Sequence, residues 1–296
     1  MRLIVYNPKG GAAVKQARLR KALRELQSLP GPSCLVATEA GDMVGPIRRA
    51  LASHSGVTQI VACGGDGTVA ACAAALDGAD IPIAVIPTGT TNVLTFELGL
   101  PNHAVRAARL LAGTMRPQRF RTWNVNGRMM LLQLGVGFDG LLMWRTPRRM
   151  KRIAGFLGVV ISALRLGPFF DYPPVRVTGQ LENGESFDAT ATSVMIANAK
   201  RWAGPQITLP AAEPGDDLVD VLLLTYKSFF QLAHFWLAML FPGAPHLRLP
   251  FVRYVRMRRL KVEAIGRAVE AHLDGEPDLM TPLVVEPMGS VTLLGL

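Results

Sequence analysis

A chain of 296 residues has room for two domains. Its 32 Lys and Arg outnumber 22 Asp and Glu, for a net charge of +10, and 49% of its residues are hydrophobic. No RNA or DNA module accompanies the excess charge, which argues against nucleic acid as a partner. A basic, apolar chain suits an anionic membrane surface better.

The three cysteines, Cys34, Cys63 and Cys72, form no C-x-x-C pair. Reduced thiols and a cytoplasmic location are therefore expected, extending to the inner face of the membrane. Met1-Arg2-Leu3-Ile4-Val5-Tyr6 reads as a strand and not as a signal peptide. The longest apolar stretches, 153–164 and 229–241, are too short to span a bilayer.

A short buried strand at 3–6 runs into Asn7-Pro8-Lys9-Gly10-Gly11. Leu19, Leu23 and Leu26 then mark a helix over 15–29, with Arg and Lys on its other side. A second strand at 34–37 leads into Thr38-Glu39-Ala40-Gly41-Asp42 and a helix at 43–53. A third apolar run, 59–63, enters Gly64-Gly65-Asp66-Gly67-Thr68, and an Ala-rich helix follows over 69–76. The fourth strand, 83–86, ends in Pro87-Thr88-Gly89-Thr90-Thr91-Asn92 and a helix to about residue 98. Strand alternating with helix predicts an α/β domain with a parallel, Rossmann-like sheet. Ligands of such sheets sit at the carboxyl ends of the strands, where all four polar turns fall.

After residue 121 the pattern changes to short β-like runs at 122–125, 129–135, 175–181, 193–197, 218–225 and 260–264. Asn126-Gly127 and Asn183-Gly184 are hairpin signals. Helical inserts are expected at 148–166 and 228–241. The expected division is an α/β nucleotide-binding domain over 1–121, to which 283–296 returns, and a β-rich, sandwich-like acceptor domain over 122–282. The sequence leaves homodimer formation open.

The turn at Gly64 carries the clearest chemistry. Glycines let a ligand approach the main chain and let the backbone take positive φ. Amides at the start of the next helix suit phosphate. Asp66 would repel phosphate unless a cation lay between them, which points to Mg²⁺. Thr90 and Asn92 offer a hydroxyl and an amide to a phosphate or to metal-bound water.

Gly64-Gly65-Asp66-Gly67-Thr68 resembles the signature of the diacylglycerol kinase catalytic-domain family, which includes bacterial lipid kinases and sphingosine kinases. Pro87–Asn92, Glu97-Leu98-Gly99-Leu100-Pro101, Gly135-Val136-Gly137-Phe138-Asp139-Gly140 and His272-Leu273-Asp274-Gly275-Glu276 are similar to further family elements, in the family's order. The resemblance implies an ATP-dependent lipid kinase that uses Mg²⁺ and phosphorylates diacylglycerol or a related lipid alcohol. It places nucleotide on Asn7, Thr38, Gly64, Gly65, Asp66, Gly67, Thr68, Thr90 and Asn92. It makes Glu276 the general base, with Asp66 and Asp274 as further catalytic carboxylates. It implies a structural Mg²⁺ at Gly215-Asp216-Asp217-Leu218, held by Asp216, Glu213 and the Leu218 carbonyl. The chain departs from the family at Ala70 and Ala71, where relatives often carry Asn-Glu, at Asp217 in place of a glycine, and over Lys200–Pro205. Two other readings remain at this point: a soluble-substrate kinase of the NAD kinase or phosphofructokinase type, and a non-catalytic nucleotide- or lipid-binding protein at the membrane. Finally, Trp144, Arg145, Arg148, Arg149, Lys151 and Arg152 precede the apolar run 153–164, a pattern that suits an interfacial helix.

Overall fold

A computed structural model describes residues 1–8, 13–39, 41–113, 115–147, 158–202 and 204–296. The chain forms two compact units, Met1–Phe120 with Gly289–Leu296, and Arg121–Met288.

In the first unit, strands β1 (Arg2–Tyr6), β2 (Ser33–Ala37), β3 (Gln59–Gly64) and β4 (Ile83–Pro87) alternate with helices α1 (Ala13–Ser28), α2 (Gly45–Ser53) and α3 (Asp66–Leu76). Helices α4 (Val93–Glu97) and α5 (Ala104–Leu110) follow. All strand pairs are parallel, in the spatial order β4-β3-β1-β2. Leu293 and Leu294 add a further parallel pairing to Ile83 and Ala84. The central strands are apolar throughout because helices cover the sheet: Leu3, Ile4, Val5, Ile60, Val61, Ala62 and Cys63 are fully buried. Register sets the level of the carboxyl ends. Tyr6 lies opposite both Ala37 and Cys63, and Gly64 opposite Pro87. Asn7, Thr38, Gly65 and Thr88 therefore leave the sheet side by side.

The chain leaves this unit along β5 (Arg116–Val125). The second unit is antiparallel. It contains β6 (Arg128–Met130), β7 (Gln133–Val136), α6 (Phe138–Arg145), α7 (described over 158–166), β8 (Val175–Leu181), β9 (Ser186–Ala191) and β10 (Ser193–Ala197). After these come β11 (Val219–Leu224), α8 (Phe229–Ala238), β12 (Val252–Ala264), β13 (Glu270–Leu273), β14 (Glu276–Met280) and β15 (Leu283–Gly295). Neighbouring residues of one strand point to opposite faces. Val194 and Ile196 of β10, with Val219, Val221 and Leu223 of β11, join Trp123 and Val177 in one core. Met195, Ala197, Leu222 and Leu224 face the other way and pack under Phe138 of α6 and Phe235 of α8. These two strands are covered on both faces, which explains their unbroken apolar runs.

The expected strand 129–135 is broken in two, because residues 131–133 turn their amides onto a carboxylate described below. Strands β9, β13 and β14 are additional to the expected set; they are short or rich in polar residues, so their sequences carry little alternation. Arg148, Arg149, Lys151, Arg152 and the start of the apolar run lie outside the described residues. No helix of the described residues is long and apolar enough to cross a membrane.

Gly140 of α6 is packed against β13, and a Cβ there would fall 2.1 Å from the Glu270 carbonyl oxygen and 2.7 Å from Ala271 Cα. Gly140→Ala is expected to cost about 1–3 kcal/mol, as overpacking does. Urea unfolding reads the cost; an unchanged midpoint would refute the packing.

Candidate functional site

In the first unit the turns after β3 and β4 meet backbone to backbone. A Cβ on Gly89 would lie 2.5 Å from Gly65 Cα and 2.5 Å from Asn92 Oδ1, and one on Gly65 would lie 3.2 Å from Gly89 Cα. A Cβ on Gly64 would lie 2.1 Å from the Thr68 hydroxyl. Gly64, Gly65, Gly67 and Gly89 are all absent from the positive-φ region. The expectation of positive φ in this loop is thus corrected: space, and not dihedral freedom, demands glycine here.

Asp66 opens α3, but its carboxylate reaches the start of α4. Val93 N–H donates to Oδ2 at 3.0 Å, Leu94 N–H to Oδ1 at 3.0 Å, and the Thr91 hydroxyl to Oδ2 at 3.4 Å. Asp66 therefore supplies the acceptors that the first amides of α4 lack. Burial pushes its carboxyl above the usual range. Asn92, in the left-handed region with φ 48°, precedes α4. Its Nδ2 donates to Gly89 O at 3.3 Å and to Asn102 Oδ1 at 2.8 Å. Its own Oδ1 is buried beside the two glycines and has no hydrogen-bond partner among the described residues.

The other expected nucleotide residues fall at the same sheet end. Asn7 follows β1, while Lys9, Gly10 and Gly11 lie outside the described residues. Thr38 is buried, with its hydroxyl donating to the Tyr6 carbonyl at 3.4 Å. Asp42 caps α2, accepting from Val44 N at 3.1 Å and Gly45 N at 2.7 Å. Thr68 is buried and Thr90 exposed.

In the second unit, Asp274 and Gly275 form the two-residue turn between β13 and β14, with φ 49° and 86°. Positive φ at both positions is the I′ hairpin geometry, which Asp-Gly suits. The Asp274 carboxylate accepts three backbone amides: Leu131 and Leu132 at 2.9 Å and Gln133 at 2.8 Å. Burial nevertheless holds its carboxyl above the usual range. Three of the roughly four acceptor positions of the Asp274 carboxylate are thus engaged in clamping the 131–133 segment. Glu276, directly after the turn, is exposed.

A buried chain stands behind this turn. Gly275 N–H donates to His272 Nδ1 at 3.2 Å, so Nδ1 carries no proton. His272 Nε2–H donates to Asp139 Oδ2 at 2.7 Å, and Trp202 Nε1 donates to the same oxygen at 3.1 Å. Gly135 leaves the room for them: a Cβ there would sit 2.4 Å from both Asp139 Oδ2 and His272 Nε2. The N-cap of α6 is Gly137, with φ 87°. His272 and Trp202 escaped the sequence reading as site residues; the one available signal was His272 standing two positions before Asp274. Trp144 Nε1 donates to Ala271 O at 2.9 Å, which ties α6 to β13.

At the position expected to hold a metal through Asp216, Glu213 and the Leu218 carbonyl, both Asp216 oxygens are engaged by protein donors. Asp216 Oδ2 is bound by Arg256 Nη2, and its Oδ1 accepts from Leu218 N at 3.0 Å. Arg256 Nη1 meets Glu182 Oε1 at 3.1 Å, and its Nε stands 3.7 Å from Asp220 Oδ1. Tyr254 Oη donates to that same oxygen. One guanidinium thus holds three carboxylates, and burial pushes Asp220 up to about 6. The backbone carbonyl of Glu213 accepts from Asp216 N at 3.1 Å. Asp217 forms an ion pair with Arg121 at 2.7 Å. Among the described residues no group of three or more His, Cys, Asp or Glu is arranged to hold a metal ion.

A family model described as the diacylglycerol kinase catalytic domain matches residues 2–121, and one described as the YegS C-terminal NAD kinase beta sandwich-like domain matches 136–293. The chain is 28% identical to a diacylglycerol kinase of Mycobacterium tuberculosis over 245 residues, covering 80% of this chain and 75% of that one. It is 24% identical to a diacylglycerol kinase of Bacillus subtilis over 284 residues, 94% and 90% of the two chains. The crystal structure of a diacylglycerol kinase from Bacillus anthracis shares the fold, with a TM-score of 0.70 at 21% identity over 99% of this chain and 95% of that one.

Asp66→Asn places an NH₂ group against a helix amide that needs an acceptor. It is expected to lower stability by about 1–3 kcal/mol, the cost of one unsatisfied buried donor; chemical denaturation that finds no loss would remove the capping role. For the Arg256 cluster, the nucleotide-free protein is expected to melt at the same temperature in EDTA and in excess Mg²⁺. A Mg²⁺-dependent rise in melting temperature that Asp216→Asn abolishes would put a metal back at this position.

Proposed function

Because the chain belongs to the diacylglycerol kinase catalytic-domain family, with a second domain of the YegS type, we propose that it is an ATP-dependent lipid kinase. Its acceptor is a hydroxyl of diacylglycerol or a related lipid alcohol. The observation that carries the reading is the bare turn pair of the first unit. Gly65 and Gly89 pack backbone to backbone at the N-terminus of α3, beside the unpaired Asn92 Oδ1. A helix start with no side chain over it presents amides to phosphate oxygens.

The residues fit Mg²⁺-ATP in the following way. Gly64, Gly65, Gly67 and Thr68 bind the phosphates through backbone amides and a hydroxyl. Asn7 and Thr38 border the nucleotide. Thr90 and the Asn92 oxygen would hold a Mg²⁺ through its waters, and the bound metal would supply charge neutralisation between the phosphates. Asp66 acts mainly by fixing α4, and hence Asn92, against the loop. Glu276 takes the proton of the acceptor hydroxyl as the new oxygen–phosphorus bond forms and the bond to the departing ADP oxygen breaks. The chain Asp139–His272–Gly275 positions the turn that carries Glu276. The enzyme works at the membrane face where such an acceptor resides.

A labelled-ATP assay against a panel of lipid alcohols in mixed micelles tests the activity. Glu276→Gln is expected to keep ATP binding while kcat falls by about 10²–10⁴. His272→Gln keeps a donor for Asp139 but removes the acceptor of Gly275 N–H. It is expected to lower kcat by up to about 10² with KM for ATP unchanged. In the Glu276→Gln background it should cost nothing more, since it acts through that carboxylate. A Glu276→Gln enzyme near wild-type turnover would overturn the base assignment. Multiplicative losses in the double variant would reduce His272 to a general structural role.

A further inference from the structure

Among the described residues, the exposed phenylalanines and leucines of the second unit all lie on two adjoining segments. α8 buries Leu232, Phe235 and Ala238, and Met239 just beyond it, in the core below β11. The opposite row at helical spacing is Phe230, His234 and Leu237, continued by Phe241 in the turn beyond the helix. Phe230 is 82% exposed, and Leu237, Leu240 and Phe241 are each half or more exposed. The turn after α7 lies directly against the start of this helix: a Cβ on Gly167 would fall 2.8 Å from the Phe229 ring and 3.4 Å from Leu232. That turn presents Phe169, 86% exposed, and α7 adds exposed Leu164. Three phenylalanines and three leucines thus face outward from two adjoining segments, and a cluster of exposed apolar side chains marks an interaction surface.

The charges on the same segments have one sign. Residues 158–170 and 226–250 include Arg165, Lys227 and Arg248 and contain no Asp or Glu. Arg165 and Lys227 are exposed, at the ends of the apolar row nearest Phe169 and Phe230. We propose that this face seats the protein on an anionic phospholipid bilayer, with α8 lying in the interface, its aromatic row among the acyl-chain ends and Arg165 and Lys227 at headgroup phosphates. Amphipathic helices with cationic edges bind membranes in this way. A second copy of the chain is the poorer occupant. A two-fold interface would set each patch against itself and bring like charges together with no carboxylate to offset them.

Phe230→Gln/Leu237→Gln alters only exposed side chains, so the fold is retained, which a thermal melt confirms. Sedimentation with vesicles of phosphatidylglycerol and phosphatidylcholine then measures binding without turnover, so its outcome is independent of the kinase reading. Wild type is expected to bind, and the double variant to bind at least about tenfold more weakly, because two large apolar side chains no longer leave water. Arg165→Gln/Lys227→Gln should weaken binding to anionic vesicles at low salt and leave binding to pure phosphatidylcholine unchanged. Equal vesicle binding by wild type and Phe230→Gln/Leu237→Gln would overturn the proposal. So would light scattering that shows a wild-type dimer which Phe230→Gln/Leu237→Gln converts to monomer, since the face would then belong to a second copy.

Discussion

The backbone-to-backbone contact between Gly65 and Gly89 decides what the sheet end of the first unit can do. Two strand ends with side chains at these places would stand apart, and a Cβ on Gly89 would lie 2.5 Å from the opposing Cα. The parallel register brings the turns level, and the absence of side chains lets them touch. Asp66 then crosses from α3 to hold the first amides of α4. The result is a pair of turns packed main chain against main chain, of the kind whose amides can meet a polyanion. Such a surface supports phosphoryl transfer, which depends on positioning and charge stabilisation more than on covalent chemistry.

The short carboxylates of both units spend themselves on structure. Asp66 serves a helix start, Asp274 three amides of a broken strand, and Asp216 a guanidinium. Each is short, and each meets donors that would otherwise be left without an acceptor. Glu276 differs: it is one carbon longer, exposed, and mounted on a turn that Asp274 and His272 fix from behind. Division of labour between a buried clamp and an exposed acid is what a positioned base requires, since a base that wanders loses rate.

The Arg256 cluster shows how strand pairing gathers carboxylates around one cationic side chain. Arg256 sits opposite Asp220 in the β11–β12 register, so strand pairing itself delivers the cation to the carboxylates. A guanidinium brings its charge on the chain and several fixed donors, where a divalent ion would need oxygens free to coordinate it. Asp217, in place of a glycine, finds Arg121. This corner of the second unit is therefore charged and paired.

The sequence by itself determined the two-part organisation, the parallel α/β sheet and the β-rich second unit. These are local or periodic properties: unbroken apolar strands, helical spacing and turn chemistry are written within a few residues of each other. The glycine loops were also legible as a site, because so many side chains are missing from a row of strand ends. Only the tertiary structure decided which acids face solvent and which are consumed. Asp66 meets α4, Asp274 meets residues 131–133, Asp139 meets His272 and Asp216 meets Arg256 across spans that leave no periodic trace. The same holds for α8, whose apolar run reads as a core helix until the packing shows which of its faces is already filled. A carboxylate's role follows from the donors around it, and those donors are brought there by strand register and chain return, not by neighbouring sequence.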